Sequence, residues 1–220
     1  MEYITLNTGA RMPMMGFGVF QVTDLAQCKQ VVLDAIDAGY RLFDTAAVYG
    51  NETAVGEAVA EAIAKGAVTR EDLFITSKLW VQDMNADDVD AGINQSLKNL
   101  GVEYLDLYLL HQAMGDYFSA WRGLEQAYHD GRLKAIGVSN FYPNILTNFC
   151  ETVDIKPAVN QIELHPYFQQ LDALDTMKYY GVVPEAWAPL GGGRYNPFDE
   201  VLLQDLAKAH NKTVSQVVFR

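Results

Sequence analysis

Four side chains that can move protons follow three predicted strands of this chain. Asp44 ends a predicted strand within the segment GYRLFDTAAVYGNE, residues 39–52, and Tyr49 follows five residues later at the start of a helix. Lys78 and His111 end two later strands. In a parallel barrel the carboxyl ends of the strands converge on one face, so these four groups would lie together. The spacing therefore makes a catalytic site possible.

Together these groups would form a proton donor for a substrate oxygen. A free Tyr phenol has a pKa of about 10 and gives up its proton poorly at neutral pH. A Lys78 ammonium beside Tyr49 would lower that pKa, and Asp44 would keep Lys78 charged and in place. The imidazole of His111 could orient a carbonyl oxygen or share the proton. Such a donor suits the reduction of a carbonyl, for which a cofactor must supply the hydride because no side chain can.

Each of the four residues also has a structural interpretation. An Asp after a strand is more often a helix cap or a turn residue, and a Tyr at a helix start usually packs. A Lys at a strand end is usually solvated, and a single His is usually structural. Spacing alone therefore leaves the catalytic and the structural interpretations open.

The elements that must position these residues alternate along the chain. Residues 3–7 and 11–15 predict a hairpin around Gly9, and a buried strand with two glycines follows at residues 15–20. After it, apolar periodicity and glycine stops predict helices at residues 25–36, 52–64, 86–100, 117–130, 143–150, 170–180 and 198–210, with a last one from residue 213. Short apolar strands are predicted at residues 41–43, 73–78, 105–111, 134–139, 158–162 and 182–187.

Strict alternation of strands and helices predicts an α/β fold with a parallel sheet. A doubly wound sheet competes, but no Gly-x-Gly-x-x-Gly follows the first strand, and chemical residues end many strands instead of one switch point. We therefore expect a (β/α)8 TIM barrel with an N-terminal β-hairpin, as a single domain over residues 1–220. Only seven barrel strands are counted, so we expect the eighth strand and the tail, on the order of 50 residues, to be missing from this chain.

Composition excludes several classes of function. The formal net charge is -12 and no basic patch is visible, so nucleic acid is not an expected partner. Cys28 and Cys150 lack metal-like spacing, no metal site is expected, and two thiols favour a reducing, cytoplasmic setting. The N-terminus has no basic region or apolar run, so neither a signal peptide nor a membrane partner is expected.

Five segments resemble signatures of the aldo/keto reductase family. They are GYRLFDTAAVYGNETAVG (residues 39–56), FITSKLW (74–80), LLH (109–111), LKAIGVSNF (133–141) and NQIELHPY (160–167). The resemblance runs from the hairpin to the end of the sequence. Within the family, the sequence is most similar to the bacterial 2,5-diketo-D-gluconate reductase branch.

The resemblance implies an NADPH-dependent reductase of aldehydes or ketones, with the cofactor at the C-terminal mouth of the barrel. It implies Tyr49 as general acid, Lys78 and Asp44 as the pair that tunes it, and His111 as the residue that orients the carbonyl. The nicotinamide carboxamide would be bound by Ser139, Asn140 and Gln161, its ring would stack on Trp187, and the pyrophosphate would follow residues 190–194, beginning with Leu190. We expect the substrate pocket to include Phe20, Val48 and Trp80.

Two departures limit what the resemblance implies. After His111 many members have a tryptophan and a proline, whereas this chain has QAMGD at residues 112–116. The basic segment that binds the adenosine 2′-phosphate in the family would follow the eighth strand, so the preference for NADPH over NADH rests on resemblance.

The alternative function is that of a non-catalytic relative, or of a truncated form unable to hold cofactor. A metal-dependent hydrolase is not favoured, because the sequence lacks a cluster of metal ligands. A small carbonyl substrate and a monomer are expected.

Overall fold

The computed structural model describes residues 1–85 and 88–219. Its strands form an antiparallel hairpin, β1–β2, and a parallel seven-stranded sheet in the sequential order β3 to β9. The strands are β1 Tyr3–Thr5, β2 Arg11–Pro13, β3 Gly16–Gly18, β4 Leu42–Asp44, β5 Phe74–Leu79, β6 Leu107–Leu110, β7 Ile136–Ser139, β8 Val159–Glu163 and β9 Val183–Trp187.

A helix follows each strand of the parallel sheet, preceded in places by a short 3₁₀ turn. The helices are α1 Leu25–Asp37, α2 Glu52–Ala64, α3 Val89–Leu100, α4 Tyr117–His129, α5 Pro143–Cys150, α6 Leu171–Tyr180, α7 Val201–Ala209 and α8 Val214–Val218. None of these described helices has the length and apolar character that crossing a membrane requires.

The sheet is strongly curled. Asp44 of β4 and Gln161 of β8 lie four strand steps apart, which would separate them by ~19 Å in a flat sheet with ~4.8 Å between strands. Their side chains nevertheless meet, with Gln161 Nε2 donating to Asp44 Oδ2 at 3.0 Å. The carboxyl ends of the strands therefore face one another across an interior. This curvature supports a barrel of the (β/α)8 type.

Alternate side chains of the parallel strands point to opposite faces of the sheet and pack into two separate hydrophobic clusters. Tyr108 and Leu110 of β6 belong to the cluster between sheet and helices, and Leu107 and Leu109 point into the curled interior. The hairpin contributes Leu6 and Met12 to the inner cluster and closes that end of the sheet. The opposite end, where the predicted chemical residues lie, stays open.

Some sequence expectations are corrected. The strand predicted as buried at residues 15–20 is short, and Gly16 and Gly18 are exposed while Phe17 is half-buried. β3 is one of the two edge strands of the described sheet and has a strand neighbour on one side only, so it is less covered. The helix predicted at residues 198–210 is a 3₁₀ turn at Pro197–Asp199 followed by α7, because Glu200 is extended between them.

Other boundaries agree with the sequence to within a few residues. The predicted helix over residues 86–100 is seen from Val89, and residues 86 and 87 lie outside the described part of the chain. The part of the chain that is described supplies seven strands of the parallel sheet. The relation of these seven strands to a complete eight-stranded barrel stays a prediction.

Gly56 allows α2 to approach the end of α3 closely. A Cβ added at Gly56 would lie 2.4 Å from the Leu100 backbone oxygen, and backbone cannot rotate away as a side chain can. We expect Gly56→Ala to lower the free energy of unfolding by about 1–3 kcal/mol through overpacking, measured by urea denaturation.

Gly18→Ala is the matched control, because a Cβ added at Gly18 would meet no atom within 4 Å and the residue does not have a positive φ. We expect this variant to stay within the scatter of the wild type. A Gly56→Ala protein as stable as Gly18→Ala would contradict the close packing of α2 on α3.

Candidate active site

The carboxyl ends of three strands bring the four predicted proton-transfer residues together. Asp44 is the last residue of β4, Lys78 lies near the end of β5, and His111 directly follows β6. Tyr49 ends a 3₁₀ turn, Ala47–Tyr49, that follows β4. Asp44, Tyr49 and His111 line one cavity within the curled sheet, which extends from the open end to the hairpin. The spacing argument is thus matched by the geometry, while the roles of these residues stay predictions.

Lys78 is the centre of the site. Its side chain is fully buried, and its ammonium donates to Asp44 Oδ1 at 2.5 Å, to the Thr45 carbonyl at 2.9 Å and to the Tyr49 hydroxyl at 3.4 Å. These contacts use all three ammonium protons. Burial alone would lower the pKa of Lys78, but the negative charge of Asp44 outweighs it and the net pKa is raised. Lys78 therefore stays charged throughout the neutral range.

The hydroxyl of Tyr49 has a pKa above its ordinary value. Burial raises the pKa, the charge of Lys78 lowers it, and the charge of Asp44 raises it again. The expectation that Lys78 would bring the Tyr49 pKa below that of a free phenol is therefore wrong in its net direction. Lys78 acts in the expected sense, but burial is the larger effect. Tyr49 is a neutral phenol at neutral pH.

His111 is a neutral imidazole in this setting. Burial and the nearby Lys78 charge lower its pKa to about 3. The ring packs edge-on between Tyr49 and Trp80, with centroid distances of 5.5 and 5.0 Å. Its Nδ1 is buried and has no hydrogen-bond partner among the described residues. Because it is neutral, the imidazole can donate one hydrogen bond and accept another without carrying charge.

The residues expected to bind the carboxamide are bonded to one another. Asn140, in a left-handed conformation with φ of 61°, donates to the His111 carbonyl at 3.3 Å and to Ser139 Oγ at 3.1 Å. Its Oδ1 accepts from Trp187 Nε1 at 2.9 Å. Ser139 Oγ donates to the Gln161 carbonyl at 2.9 Å. The structure thus gathers Ser139, Asn140, Gln161 and Trp187 into one polar rim beside His111.

The residues expected to form the substrate pocket are not all alike. The Phe20 ring lies 4.9 Å from that of Tyr49 and lines the cavity, although it is 63% exposed. Trp80 packs against His111 but lies outside the cavity lining, and Val48 is exposed beside Tyr49. Leu190 is half-buried and is also outside the lining, whereas Gly192 and Arg194 of the same loop belong to it.

The loop after β9 is suited to an anionic ligand. Gly191, Gly192 and Gly193 all have positive φ, and a Cβ at Gly193 would meet no atom within 4 Å, so the backbone there is open to close approach. Arg194 is the only Lys or Arg among the described residues that line the cavity. Its guanidinium lies 2.5 Å from Glu163 Oε1. The protein as a whole is acidic, so the Arg194 guanidinium is a local positive charge in a negatively charged surrounding.

Two polar residues of the site were missed by sequence reasoning. Asn51 is buried; its Oδ1 accepts from the Thr45 hydroxyl at 2.7 Å and its Nδ2 donates to the Val19 carbonyl at 2.9 Å. It therefore ties the segment that carries Phe20 to the residue whose carbonyl accepts from Lys78. Glu185 lines the cavity from β9. A charged residue within the apolar run VVPEAW was a signal that could have identified it.

Comparison with known proteins identifies relatives along the whole chain. The model of the aldo/keto reductase family matches residues 14–220. The chain is 45% identical over 217 residues to the uncharacterized oxidoreductase YtbE of Bacillus subtilis, a match that covers 98% of this chain and 77% of the relative. It is 43% identical over 220 residues to the glyoxal reductase of the same organism, covering 100% and 78%.

A solved structure shows the same fold at high similarity. The crystal structure of a Bombyx mori aldo-keto reductase in complex with NADP matches with a TM-score of 0.94 at 36% identity. The match covers 99% of this chain and 78% of the silkworm chain.

Replacing Lys78 by Met tests the weight of the buried ion pair. Asp44 would lose its cationic partner, and removing one member of a buried pair costs roughly 3–5 kcal/mol. We expect Lys78→Met to lower the free energy of unfolding by about that amount in urea denaturation. Lys98→Met on the exposed face of α3 is the control. Equal stability of the two variants would argue against a buried pair.

His111 makes the fold sensitive to acid. Its pKa is about 3 in the folded protein against 6.5 as the reference value, so the unfolded chain binds the proton first. The contribution of His111 to stability is complete above pH 6.5 and is lost as the pH falls toward about 3. We expect His111→Gln to flatten the fall in unfolding free energy over this window. The exposed His129→Gln is the control, and an unchanged slope in His111→Gln would contradict the assignment.

Proposed function

This chain belongs to the aldo/keto reductase family of oxidoreductases, and we propose that it reduces small aldehydes and ketones to alcohols with NADPH. One observation carries the proposal. A fully buried lysine, paired with an aspartate, places its ammonium 3.4 Å from a tyrosine hydroxyl that faces a cavity. A structural lysine would not need to be buried beside a phenol at the open end of the sheet.

Tyr49 is the proton donor of the proposed reaction. Its raised pKa keeps the phenol protonated at neutral pH, which is the state that an acid requires. As the proton moves to the substrate oxygen, negative charge forms on the phenolic oxygen, 3.4 Å from the Lys78 ammonium. Lys78 therefore stabilises the transition state more than the ground state, and this difference accelerates the reaction.

His111 orients the carbonyl beside Tyr49. A neutral imidazole can donate its N–H to the carbonyl oxygen and still does not compete with Tyr49 as the acid, because its own pKa lies far below neutral. The edge-on contacts with Tyr49 and Trp80 fix the plane of the ring. The substrate oxygen would then lie between the Tyr49 hydroxyl and the His111 imidazole, two donors that together polarise the carbonyl.

The polar rim and the glycine loop fit a nicotinamide cofactor. Aldo/keto reductases use NADP(H), and the bound cofactor supplies the hydride that the carbonyl carbon receives. We expect Ser139, Asn140 and Gln161 to bind the carboxamide, the Trp187 indole to stack on the ring, and residues 190–194, including Leu190, to follow the pyrophosphate. The open backbone at Gly193 and the guanidinium of Arg194 suit the pyrophosphate.

The substrate is proposed to be a small carbonyl compound. Phe20, Val48 and Trp80 would supply apolar walls around Tyr49 and His111, as small-ligand pockets usually do. The glyoxal reductase relative and the resemblance to the 2,5-diketo-D-gluconate reductase branch both favour small dicarbonyl or hydroxycarbonyl substrates. A cytoplasmic monomer is part of the same proposal.

Tyr49→Phe removes the proton donor and keeps the ring. We expect kcat for the reduction of a panel of small aldehydes to fall by about 10²–10⁴-fold, the usual share of general acid catalysis, while NADPH still binds. NADPH oxidation followed by absorbance measures the rate, and NADPH titration measures binding.

Tyr128→Phe is the matched control for the loss of a hydroxyl, since Tyr128 packs against the helix-side core away from the cavity. It should keep the wild-type rate. Turnover by Tyr49→Phe at the wild-type level would reject Tyr49 as the acid.

Trp187→Ala tests the proposed stacking surface. Loss of one aromatic contact worth about 0.5–1.5 kcal/mol should weaken NADPH binding by up to about tenfold. Trp80→Ala, at the same open end and in contact with His111, should change KM for the aldehyde and leave NADPH affinity nearly unchanged. The reverse pattern, with NADPH affinity lost only in Trp80→Ala, would contradict the proposed placement of the cofactor.

A further inference from the structure

Glu185 is a carboxyl group inside the sheet that the reaction described above does not use. It lies on β9 directly beside Gln161 of β8 in the strand register. It lines the same cavity as Asp44, Tyr49 and His111. Its neighbours on the strand, Pro184 and Ala186, are uncharged. The residue is half-buried but its Oε2 atom is fully buried, and a buried carboxyl oxygen costs free energy unless it is paired or protonated, so its presence calls for a physical explanation.

Gln161 connects Glu185 to the ion pair. The amide Nε2 of Gln161 donates to Asp44 Oδ2 at 3.0 Å, and Gln161 is the register neighbour of Glu185 on the adjacent strand. Asp44 in turn accepts from Lys78, whose ammonium lies 3.4 Å from the Tyr49 hydroxyl. The second carboxyl oxygen of Glu185, Oε2, is buried and has no hydrogen-bond partner in the described part of the chain. Glu185 therefore lies beside Gln161, the first member of a row of hydrogen bonds that leads through Asp44 and Lys78 to the proposed proton donor.

We propose that Glu185 is a positioning residue that acts through Lys78 on proton donation by Tyr49. When Glu185 is uncharged, the Lys78 ammonium interacts with Asp44 and Tyr49 alone. When Glu185 is ionised, the site carries a net negative charge. The inference rests on the proposed role of Tyr49. In the first state the charges of Asp44 and Lys78 cancel, and in the second two carboxylates face one ammonium. A net negative site disfavours phenolate formation, so Tyr49 holds its proton more tightly and donates it more slowly.

The switch falls just above neutral pH. Burial raises the pKa of Glu185, the charge of Asp44 raises it further, and the Lys78 charge and the neighbouring Gln161 amide oppose this, with a result of about 8. The charged groups acting on Glu185 are Asp44 from β4 and Lys78 from β5. β8 contributes the uncharged Gln161, and α6, which packs on β9, contributes the apolar Leu174 to the cavity.

Glu185→Gln keeps the shape and removes the ionisation. We expect kcat/KM for aldehyde reduction to fall in the wild type as the pH rises through about 8, and to stay high to a higher pH in Glu185→Gln, which is then several times faster than the wild type on the alkaline side. Glu185→Asp retains a carboxyl and should retain an alkaline fall.

Glu52→Gln is the matched control. Glu52 is a buried glutamate that accepts from Ser77 Oγ at 2.6 Å and from Asn99 Nδ2 at 2.9 Å on the side of α3 and does not line the cavity. It should keep the alkaline fall of the wild type. A Glu185→Gln protein that loses activity equally at every pH, with the alkaline fall still in place, would show a structural role and overturn the proposal.

A titration of Tyr49 itself does not depend on turnover. The part of the tyrosinate absorbance that is lost in Tyr49→Phe reports ionisation of the Tyr49 phenol. We expect this absorbance to appear at a lower pH in Glu185→Gln than in the wild type. An unchanged Tyr49 titration would overturn the role of Glu185. A shifted titration in a protein without reductase activity would support the coupling and reject the proposed function instead.

Discussion

The buried ammonium of Lys78 is the constraint on which the site depends. Removing a lysine charge from water costs several kcal/mol, and only well-placed partners offset that cost. Here Asp44 and the Thr45 carbonyl accept two of its hydrogen bonds at 2.5 and 2.9 Å, and the Tyr49 hydroxyl lies on the third side. The Tyr49 hydroxyl makes the longest of the three contacts, and its interaction with the Lys78 ammonium strengthens most when the phenol becomes a negatively charged phenolate. Stability and proposed catalysis therefore draw on the same charge.

The curled sheet is what makes that arrangement possible. Asp44 needs partners for both oxygens: Oδ1 accepts from Lys78 on the neighbouring strand, and Oδ2 accepts from Gln161 across the interior. A flat sheet would bring only neighbouring strands within reach. Asn51 adds a local restraint, because it ties Thr45 to the segment before Phe20. The groups that bind Lys78 are thus themselves held by strands and loops from both halves of the chain.

Much of the fold was readable from the sequence, and the misses have physical causes. Gly101 and Gly181, both with positive φ, predicted the ends of their helices correctly. A helix end of this kind depends on the local backbone conformation, which glycine adopts readily. The exposed β3 was misjudged, since burial depends on which strands lie beside it. Residues at strand ends were grouped correctly, because parallel strands bring those ends together whatever the side chains are.

The electrostatic balance was less predictable than the positions. Sequence reasoning anticipated that Lys78 would favour the Tyr49 phenolate, but burial of Tyr49 is a three-dimensional property and outweighs it. The most direct measurement is therefore the absorbance titration of Tyr49 in Lys78→Met beside the wild type, with Asp44→Asn/Lys78→Met as the variant that also removes the charge of Asp44. We expect the Tyr49 phenol to titrate at a higher pH in both variants than in the wild type. An unchanged titration would contradict the claim that Lys78 stabilises the phenolate.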